Sequence, residues 1–507
     1  MNRRGDMPTD ILALAEPCPS AVAEPDADGD KPRGKGKRSR DPSQAEQLLE
    51  LAAGAELFHN ADGETFADVH VSGHRETIAV AGGLRAWLRR EYHNAGHGAP
   101  NEDALQSALS TLGSRAEFDG PERRVFYRVG ELDGRLYLDL GDPTWRSVEV
   151  DPDGWRIVAT PPVRFRRVRS MHALPVPTRG GSIEDLRRFV NVRSDDDWTL
   201  VVAWLLAALR PTGPYPMLVL NGEQGTAKST LTRLLRSLVD PFKAPVRAFP
   251  RDERDLAVSA DNAHVLAFDN VSAVNPWLSD ALCRVSTGGG FAVREHYKDR
   301  DEAIFDAMRP MILNGIDGFV TRADLADRAI VLTLEPIAEG ARLTEAELWA
   351  GFEDVRPGIL GALLDAVATG LRNLPSIRLA TLPRMADFAL WATACEPALW
   401  PPGTFERAYS GNRAGTVEST LDGDPVAAGV RKLAQQPGGW EGTATELLAT
   451  LAATFPDPRA ANLPKSPRGL ADKLRRLAPF LRAAGVGVET GLRVGAARTR
   501  MVRIAAL

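Results

Sequence analysis

Cysteine is scarce in this chain: Cys18, Cys283 and Cys395 are the only three, and they stand far apart in 507 residues. This spacing excludes a disulfide framework and any zinc site built on paired cysteines, and it suits a reducing compartment. The chain also lacks a run of about 18 apolar residues, and its first twenty residues hold only one short apolar stretch, directly after an aspartate. We therefore expect a cytoplasmic protein without a signal peptide or membrane segment.

Lysine is also rare, with nine residues against fifty-three arginines. The net charge of -5 and the pI of about 6.0 argue against a surface that binds nucleic acid uniformly, so local charge matters more than the total. Residues 1–45 are rich in proline, glycine and charge, and include KPRGKGKRSR at 31–40. This composition predicts a disordered basic tail, which either contacts nucleic acid as a flexible arm or is simply solvated.

Hydropathy patterns divide the rest of the chain into four segments. Residues 46–175 mix helical and strand patterns and predict an α+β domain of unknown role. Residues 176–340 alternate helical stretches with apolar runs, which predicts an α/β fold with a parallel sheet. Residues 341–420 have a mainly helical pattern, and residues 421–507 contain helices followed by two short strands. The runs expected to form the parallel sheet are 216–222, 264–270, 309–315 and 328–334.

The apolar run at 216–222 leads into GEQGTAKS, which fits the P-loop pattern except that Ala227 replaces the usual glycine. In such a loop, backbone N–H groups face phosphate oxygens, Lys228 adds positive charge and Ser229 offers a hydroxyl to Mg²⁺. The alternative is a glycine turn that merely caps a helix. An alanine in a left-handed conformation would cost about 1 kcal/mol relative to glycine. The predicted nucleotide-binding residues are Gly222, Glu223, Gln224, Gly225, Thr226, Ala227, Lys228, Ser229 and Thr230.

Three later strand runs carry polar residues at their ends. Asp269 directly follows the apolar part of HVLAFDN, where a P-loop protein needs an acid for magnesium, but Asn270 comes next, where many ATPases have a second acid. Asn314 directly follows the apolar part of RPMILNG, where an amide can reach the γ-phosphate or the attacking water. Arg328 precedes the last run and could act across a subunit interface on a neighbour's nucleotide. Taken alone, each is also explained as a turn residue or a charged residue flanking a strand.

The motifs together resemble the superfamily III helicases, AAA+-like ATPases of viruses, phages and mobile elements, especially the poxvirus-type primase-helicase branch and its bacterial relatives. They occur in the family order as GEQGTAKST, VLAFDN, STGGGFAVREHYKDRDE and RPMILNG, followed by DLADRAIVL. The resemblance implies that the third motif forms a hairpin reaching into a ring channel; a charged loop is the alternative. The implied hairpin or DNA-contacting residues are Gly288, Gly289, Arg294, Tyr297 and Lys298.

The C-terminal segment contains a concentrated basic patch, with ten basic and two acidic residues over 465–503. A helix that begins at Ser-Pro and a β-hairpin with an arginine-rich tip predict a winged-helix domain. The alternatives are a winged helix used for protein contacts and a solvated helix face. The predicted DNA-binding residues here are Lys473, Arg475, Arg476, Arg493, Arg498 and Arg500.

These patterns and the resemblance predict an ATP- and Mg²⁺-dependent DNA helicase or translocase of a mobile-element or phage-like replication system. The resemblance implies a homo-oligomeric ring, expected to be a hexamer, that acts on single-stranded or forked DNA, with a primase as a further partner. The assigned catalytic residues are Lys228, Asp269, Asn314 and Arg328. A nucleotide-dependent switch with weak hydrolysis is the first alternative, because Asn270 cannot act as a base. A P-loop kinase is the second, although it would be expected to carry a lid and a substrate site.

Overall fold

We describe the fold from a computed structural model of the chain. Gln44–Leu507 form one compact unit, and the predicted tail lies almost entirely outside the described residues. No helix in the part of the chain that the structure describes is long and apolar enough to cross a membrane. The described residues are 41–294, 302–305, 307–316, 318–320, 322–338, 340, 342–454, 463–494 and 499–507.

The chain enters through a helical and antiparallel region with a core of its own. Helix α3 begins at the cap Asn101, whose side chain accepts a hydrogen bond from the Ala104 N–H, and two acids in its first turn complement the helix dipole. Strands β1, β2 and β3 form one antiparallel sheet. The elements are α1 (Gln44–Leu51), β1 (Glu56–His59), β2 (Thr65–Val71), β3 (His74–Ala79), α2 (Leu84–Asn94) and α3 (Glu102–Phe118).

A four-stranded antiparallel meander follows, with strands in the order β5-β6-β7-β8, beside a parallel pair of β4 and β9. Asp133 and Gly134 form the two-residue turn between β5 and β6; both have positive φ, as this type of hairpin turn requires. The elements are β4 (Val125–Phe126), β5 (Val129–Leu132), β6 (Arg135–Asp139), β7 (Ser147–Asp151), β8 (Gly154–Val158) and β9 (Arg164–Phe165).

The predicted parallel sheet is confirmed and has the strand order β11-β12-β15-β10-β16. Its central strands read as apolar runs because helices cover both faces. The short edge strand β11 was not predicted. The elements are α4 (Glu184–Arg187), α5 (Asp195–Ala208), β10 (Met217–Gly222), α6 (Lys228–Val239), β11 (Arg247–Ala248), α7 (Glu253–Ala260), β12 (Leu266–Val271), α8 (Pro276–Thr287), β13 (Phe291–Arg294), β14 (Glu302–Phe305), β15 (Met311–Gly315), α9 (Ala323–Ala326) and β16 (Ala329–Leu334).

The last part of the chain is helical and ends in a three-stranded antiparallel sheet of order β17-β19-β18. The predicted terminal helix and hairpin are present and β17 adds a third strand; the winged-helix assignment itself stays a prediction, as do the domain boundaries. The elements are α10 (Glu345–Asn373), α11 (Ala386–Cys395), α12 (Thr404–Asp422), α13 (Pro425–Ala434), β17 (Trp440–Thr443), α14 (Ala444–Thr454), α15 (Pro467–Ala483), β18 (Val486–Val494) and β19 (Thr499–Ala506).

A fully buried ion pair joins the N-terminal region to the parallel sheet. Arg128 Nε donates to Asp240 Oδ1 at 3.0 Å, and both side chains are 0% exposed. The other carboxylate oxygen of Asp240 accepts the backbone N–H groups of His264 and Val265. Although burial opposes it, the charges of Arg128 and Arg236 lower the pKa of Asp240 below its ordinary value. The carboxylate is therefore charged and saturated with partners at neutral pH.

We expect Asp240→Asn to reduce the free energy of unfolding by about 3–5 kcal/mol, because it leaves the Arg128 charge buried without its counter-ion. Urea-induced unfolding followed by circular dichroism measures this. Asp472→Asn is the matched control, since the pair of Asp472 with Arg475 is largely exposed and its loss should cost less than about 1 kcal/mol. Equal costs for the two variants would contradict a stabilising role for the buried pair.

Candidate functional site

The predicted phosphate loop is a strained turn between β10 and α6. Gly222 has φ 147° and Gly225 has φ 88°, and a Cβ atom on Gly222 would lie 2.6 Å from the Leu334 carbonyl oxygen, so this position requires glycine. Ala227 has φ 61° and ψ 28° and directly precedes the helix that starts at Lys228. The left-handed conformation anticipated for Ala227 is therefore present, and the loop keeps the shape that glycine usually provides.

The ammonium group of Lys228 lies over this loop. Its Nζ donates to the carbonyl oxygens of Gly222 and Glu223, both at 2.7 Å, and lies 3.3 Å from Thr226 Oγ1. Both carbonyl oxygens belong to residues at the start of the turn. The positive charge is thus concentrated at the mouth of the loop and the N-terminus of α6, where anions are favoured.

Ser229 and Asp269 come together, as expected for a magnesium site. Ser229 Oγ donates to Asp269 Oδ2 at 2.9 Å. Ser229 lies on α6, which follows β10, and Asp269 lies on β12; β15 separates these two strands in the sheet. A hydroxyl and a carboxylate are hard oxygen donors of the kind that Mg²⁺ prefers, so this pair fits the ion. Within the described residues, no cluster of three or more His, Cys, Asp or Glu side chains offers a second metal site.

Asn270 occupies a bulge next to Asp269. Its φ is 56°, its side chain is exposed, and its N–H donates to Asp269 Oδ1 at 2.8 Å. The register of β12 against β15 shifts here, between Phe268 and Val271. Asparagine tolerates this left-handed conformation better than most residues. The bulge therefore fixes the Asp269 carboxylate and leaves an uncharged amide where a second acid would stand.

Asn314 lies deeper than expected. It is fully buried, and its Nδ2 donates to Thr232 Oγ1 at 3.0 Å, while the Thr232 hydroxyl donates to the Lys228 carbonyl oxygen at 3.0 Å. Its Oδ1 is buried and has no hydrogen-bond partner among the described residues. The amide thus sits beneath the first turn of α6, connected to the loop through Thr232, a residue that the sequence analysis did not single out.

Arg328 lies at the opposite end of the strands from the phosphate loop. It precedes β16, and Met217, the first residue of β10, pairs with Ala329. Strand β10 has six residues, so the loop lies about 20 Å away along the strands. Arg328 Nη1 donates to the Asp324 carbonyl oxygen at 2.7 Å, and its Nε is buried with no partner among the described residues. The structure therefore does not bring Arg328 to the phosphate loop of its own chain.

A cavity of about 360 Å³ opens beside the loop. Asn191 lines it, and its Nδ2 donates to the carbonyl oxygens of Thr226, at 3.1 Å, and Glu335, at 2.6 Å. Gly225, Ala227 and Thr230 of the loop form one wall, and the sequence analysis missed the cavity because its other walls come from distant segments without a motif. Residues lining it include Arg188, Phe189, Val190, Asn191, Leu343 and Leu348.

The expected hairpin is partly visible. Strands β13 and β14 pair antiparallel, and Arg294 pairs with Glu302 along the backbone. Gly288 and Gly289, which precede the hairpin, have φ of 80° and 123°. Tyr297 and Lys298 lie outside the described residues, and the side chain of Arg294 is not among those described. The strand pairing of the hairpin is confirmed, and its DNA-contacting residues stay a prediction.

The basic residues of the C-terminal region differ in their surroundings. Lys473 forms an ion pair with Asp424 at 2.8 Å, which turns its charge toward α13. Arg475 pairs with Asp472 one turn earlier on the same helix. Arg476 on α15 and Arg500 on β19 are exposed.

Helix α15 presents its apolar side to the C-terminal core. Leu470, Leu474 and Leu477 are buried in that core, which turns Arg476 toward solvent. The Arg493 side chain is not described, and Arg498 lies outside the described residues. DNA contact at these positions stays a prediction.

The site combines a glycine turn, the lysine that follows it, and a serine paired with an aspartate. On a five-stranded parallel sheet, this combination defines an α/β protein of the P-loop class. Residues 183–399 match the family described as actinomycete integrative conjugative element replication protein, and residues 426–507 match the C-terminal domain of the same RepA proteins. Together the two matches cover 299 of the 507 residues. Over these residues the chain is similar to replication proteins of mobile elements, which confirms the resemblance at that level.

Solved structures give more distant likenesses. The NrS-1 C-terminal region is 13% identical with a TM-score of 0.40, over 91% of this chain and 98% of that one. The SCCmec type IV Cch, titled an active helicase, is 11% identical with a TM-score of 0.47, over 89% and 92% of the two chains. Both likenesses are too distant to assign a function. No curated protein matches the chain.

We expect Ala227→Gly to raise the free energy of unfolding by about 0.5–1 kcal/mol, because glycine removes the strain of the left-handed conformation. Urea-induced unfolding measures the change. Ala449→Gly, on an exposed position inside α14, is the control and should have the opposite sign, with a loss of about 1 kcal/mol. A loss of similar size in both variants would show that Ala227 is not strained.

Proposed function

We propose that the chain is an ATP-dependent DNA helicase or translocase that acts as a ring oligomer in the replication of a mobile element. The observation that carries the proposal is the hydrogen bond between Ser229 Oγ and Asp269 Oδ2, beside a loop that holds the Lys228 ammonium. The family supports a role in replication. ATP turnover, movement on DNA and ring assembly are our inferences from this geometry.

In this proposal the chain binds ATP along the mouth of the loop. The cavity beside the loop, which Asn191 lines, is the space for the base and sugar. The N–H groups of the turn and the first turn of α6 bind phosphate oxygens, and Lys228 exchanges its carbonyl acceptors for them. Ser229 and Asp269 would hold Mg²⁺, the ion that neutralises charge on the outer phosphates when bound. Thr232 and Asn314 fix the first turn of α6 against the sheet.

A second copy of the chain would supply Arg328. In the described structure this side chain is separated from its own loop by the length of β10, so an action on the transition state requires a neighbour's nucleotide. A positive charge at the transferred phosphoryl group stabilises the transition state and typically raises the rate by a factor of about 10³–10⁵. This requirement is the physical reason for proposing a ring, for which a hexamer is the expected size.

Exposed arginines near the C-terminus would hold the DNA. Arg476 and Arg500 both face solvent, and their charges can neutralise backbone phosphates without reading sequence. The proposed winged-helix domain would then bring single-stranded or forked DNA to the ring, and a primase on a separate chain would start synthesis there.

A nucleotide-dependent switch with weak hydrolysis is the second candidate, and one observation favours it. Asn270 stands exposed in the bulge after Asp269, with no carboxylate to orient an attacking water. In that case ATP binding would change the assembly of the protein on DNA, and turnover would stay low in the presence of DNA.

We expect single-stranded DNA to raise the steady-state ATPase rate severalfold, and Lys228→Ala to abolish that rate because the outer phosphates lose their cation. Arg328→Ala should lower it by about 10³-fold. Lys243→Ala, at an exposed lysine elsewhere in the same sheet region, is the control and should leave it unchanged. ATP binding by the wild type without DNA-stimulated turnover would favour the switch instead.

We also expect the double change Arg476→Ala with Arg500→Ala to weaken binding to fluorescently labelled single-stranded DNA. The slope of log K against log salt should become shallower by roughly 0.7 for each phosphate that the protein no longer neutralises. Arg115→Ala, on the exposed side of α3, is the control. An unchanged slope in the double variant would remove the C-terminal surface from the DNA-binding proposal.

A further inference from the structure

Helix α12 connects the parallel-sheet region to the C-terminal region. Its first half packs in the core of the sheet region through Phe405, Ala408 and Tyr409. Its last turn contributes Leu421 to the apolar core that holds α13, α14 and α15. One continuous helix therefore belongs to both cores, so a displacement of the C-terminal region acts on the middle of α12.

Two consecutive residues in the middle of α12 bind residues on both sides of Arg328, one through the backbone and one through a side chain. Asn412 Nδ2 donates to the Val331 carbonyl oxygen at 2.7 Å, and its Oδ1 accepts the Val331 N–H at 3.1 Å, so it pairs with the edge strand β16 as a neighbouring strand would. Arg413 Nη2 donates to Asp327 Oδ1 at 3.1 Å. Arg328 thus lies between two anchored positions.

The residues just before Arg328 also contact the C-terminal region. Ala323 and Ala326 of α9 are buried in the apolar core of the C-terminal region. The Asp324 carbonyl oxygen accepts from Arg328 Nη1 at 2.7 Å. The guanidinium of Arg384 lies 4.0 Å from the other oxygen of Asp327 and adds a second cation on that carboxylate. The two alanines and Arg384 connect the segment around Arg328 to the C-terminal half of the chain, and the hydrogen bond between Asp324 and Arg328 holds the segment together internally.

We infer that Asp327 and Arg413 are positioning residues for Arg328, and that through them α12 makes the placement of Arg328 depend on the C-terminal region. The inference rests on the proposed function, in which Arg328 acts on a neighbour's nucleotide. The ion pair is partly exposed, with side chains 35% and 31% accessible. Its effect is therefore expected on catalytic geometry more than on stability, since small misplacements of a catalytic group cost much rate.

The test is a mixing experiment with two kinds of full-length subunit. Acceptor subunits carry Arg328→Ala, so they keep the phosphate loop but offer no arginine to a neighbour. Donor subunits carry Lys228→Ala, so they hydrolyse nothing themselves but offer an intact Arg328. ATPase activity that appears only on mixing comes from an acceptor loop completed by a donor arginine.

A donor that also carries Asp327→Asn should lower the kcat of the mixture about tenfold and leave the KM for ATP within twofold, because the acceptor's binding site is unaltered. Asp327→Glu should restore most of the activity. Glu418→Gln is the matched control donor. Glu418 lies on α12, as Arg413 does, but pairs with Arg431 at 2.8 Å, away from Arg328, so the activity should be retained.

Three outcomes decide the matter. Lower kcat at unchanged KM with Asp327→Asn donors, and full activity with Glu418→Gln donors, supports the inference. Equal activity with both donors overturns it while leaving the proposed function in place. No activity with unaltered donors overturns the trans role of Arg328 and the inference with it. Donors with Arg413→Gln repeat the test from the other side of the pair, and their loss should not add to that of Asp327→Asn.

Discussion

The buried carboxylate of Asp240 is the interaction on which the site depends. It follows the last residue of α6, the helix that begins at Lys228, and it accepts the N–H groups that lead into β12, the strand that carries Asp269. The same carboxylate binds the fully buried Arg128. One charge therefore fixes the far end of α6, the start of β12 and the N-terminal region relative to one another.

Burial makes this arrangement specific. Burial lowers the pKa of His264 to about 4, so its imidazole is neutral at pH 7 and its Nε2 is hydrogen-bonded to the Ala208 carbonyl oxygen of α5. Burial also lowers the pKa of Arg236 to about 10, which still leaves it charged beside Asp240. Because these groups have few ways to satisfy one another away from water, a single registration of α6 on the sheet is favoured. That registration sets the 2.9 Å distance between Ser229 Oγ and Asp269 Oδ2.

The sequence alone predicted those parts of the molecule that local patterns determine. Apolar runs bounded by turns identified β10, β12, β15 and β16, because a strand covered on both faces must be apolar along its length. The spacing of Lys228 and Ser229 after two glycines indicated the phosphate loop, and Ala227 adopts the left-handed conformation whose cost counted against that loop. The end of a strand indicated Asp269.

Tertiary contacts determined what the sequence could not predict. Asn314 was expected at an accessible edge, yet it is buried against Thr232, because the partner of an amide depends on which helix covers the strand. The cavity beside the loop joins segments far apart in the chain, and Asn191 has no motif around it. Arg128 and Asp240 are 112 positions apart and neither lies in a recognisable pattern. Edge strand β11 has two residues, too few for a period.

The residues of the proposed active site lie at the two opposite ends of the parallel strands. Lys228, Ser229 and Asp269 lie at the carboxyl ends of the strands, where a parallel sheet leaves a crevice for a ligand. Arg328 lies at the amino ends of the strands. No rotamer change spans the length of a strand, so one copy cannot close the site that we propose. A second copy would have to place the amino ends of its strands against the phosphate loop of the first copy. The segment that would do so is also the segment that α12 and the C-terminal core hold. If the proposal is right, contact between copies and the position of the C-terminal region are therefore not independent variables, and DNA held by one subunit would change the rate at its neighbour.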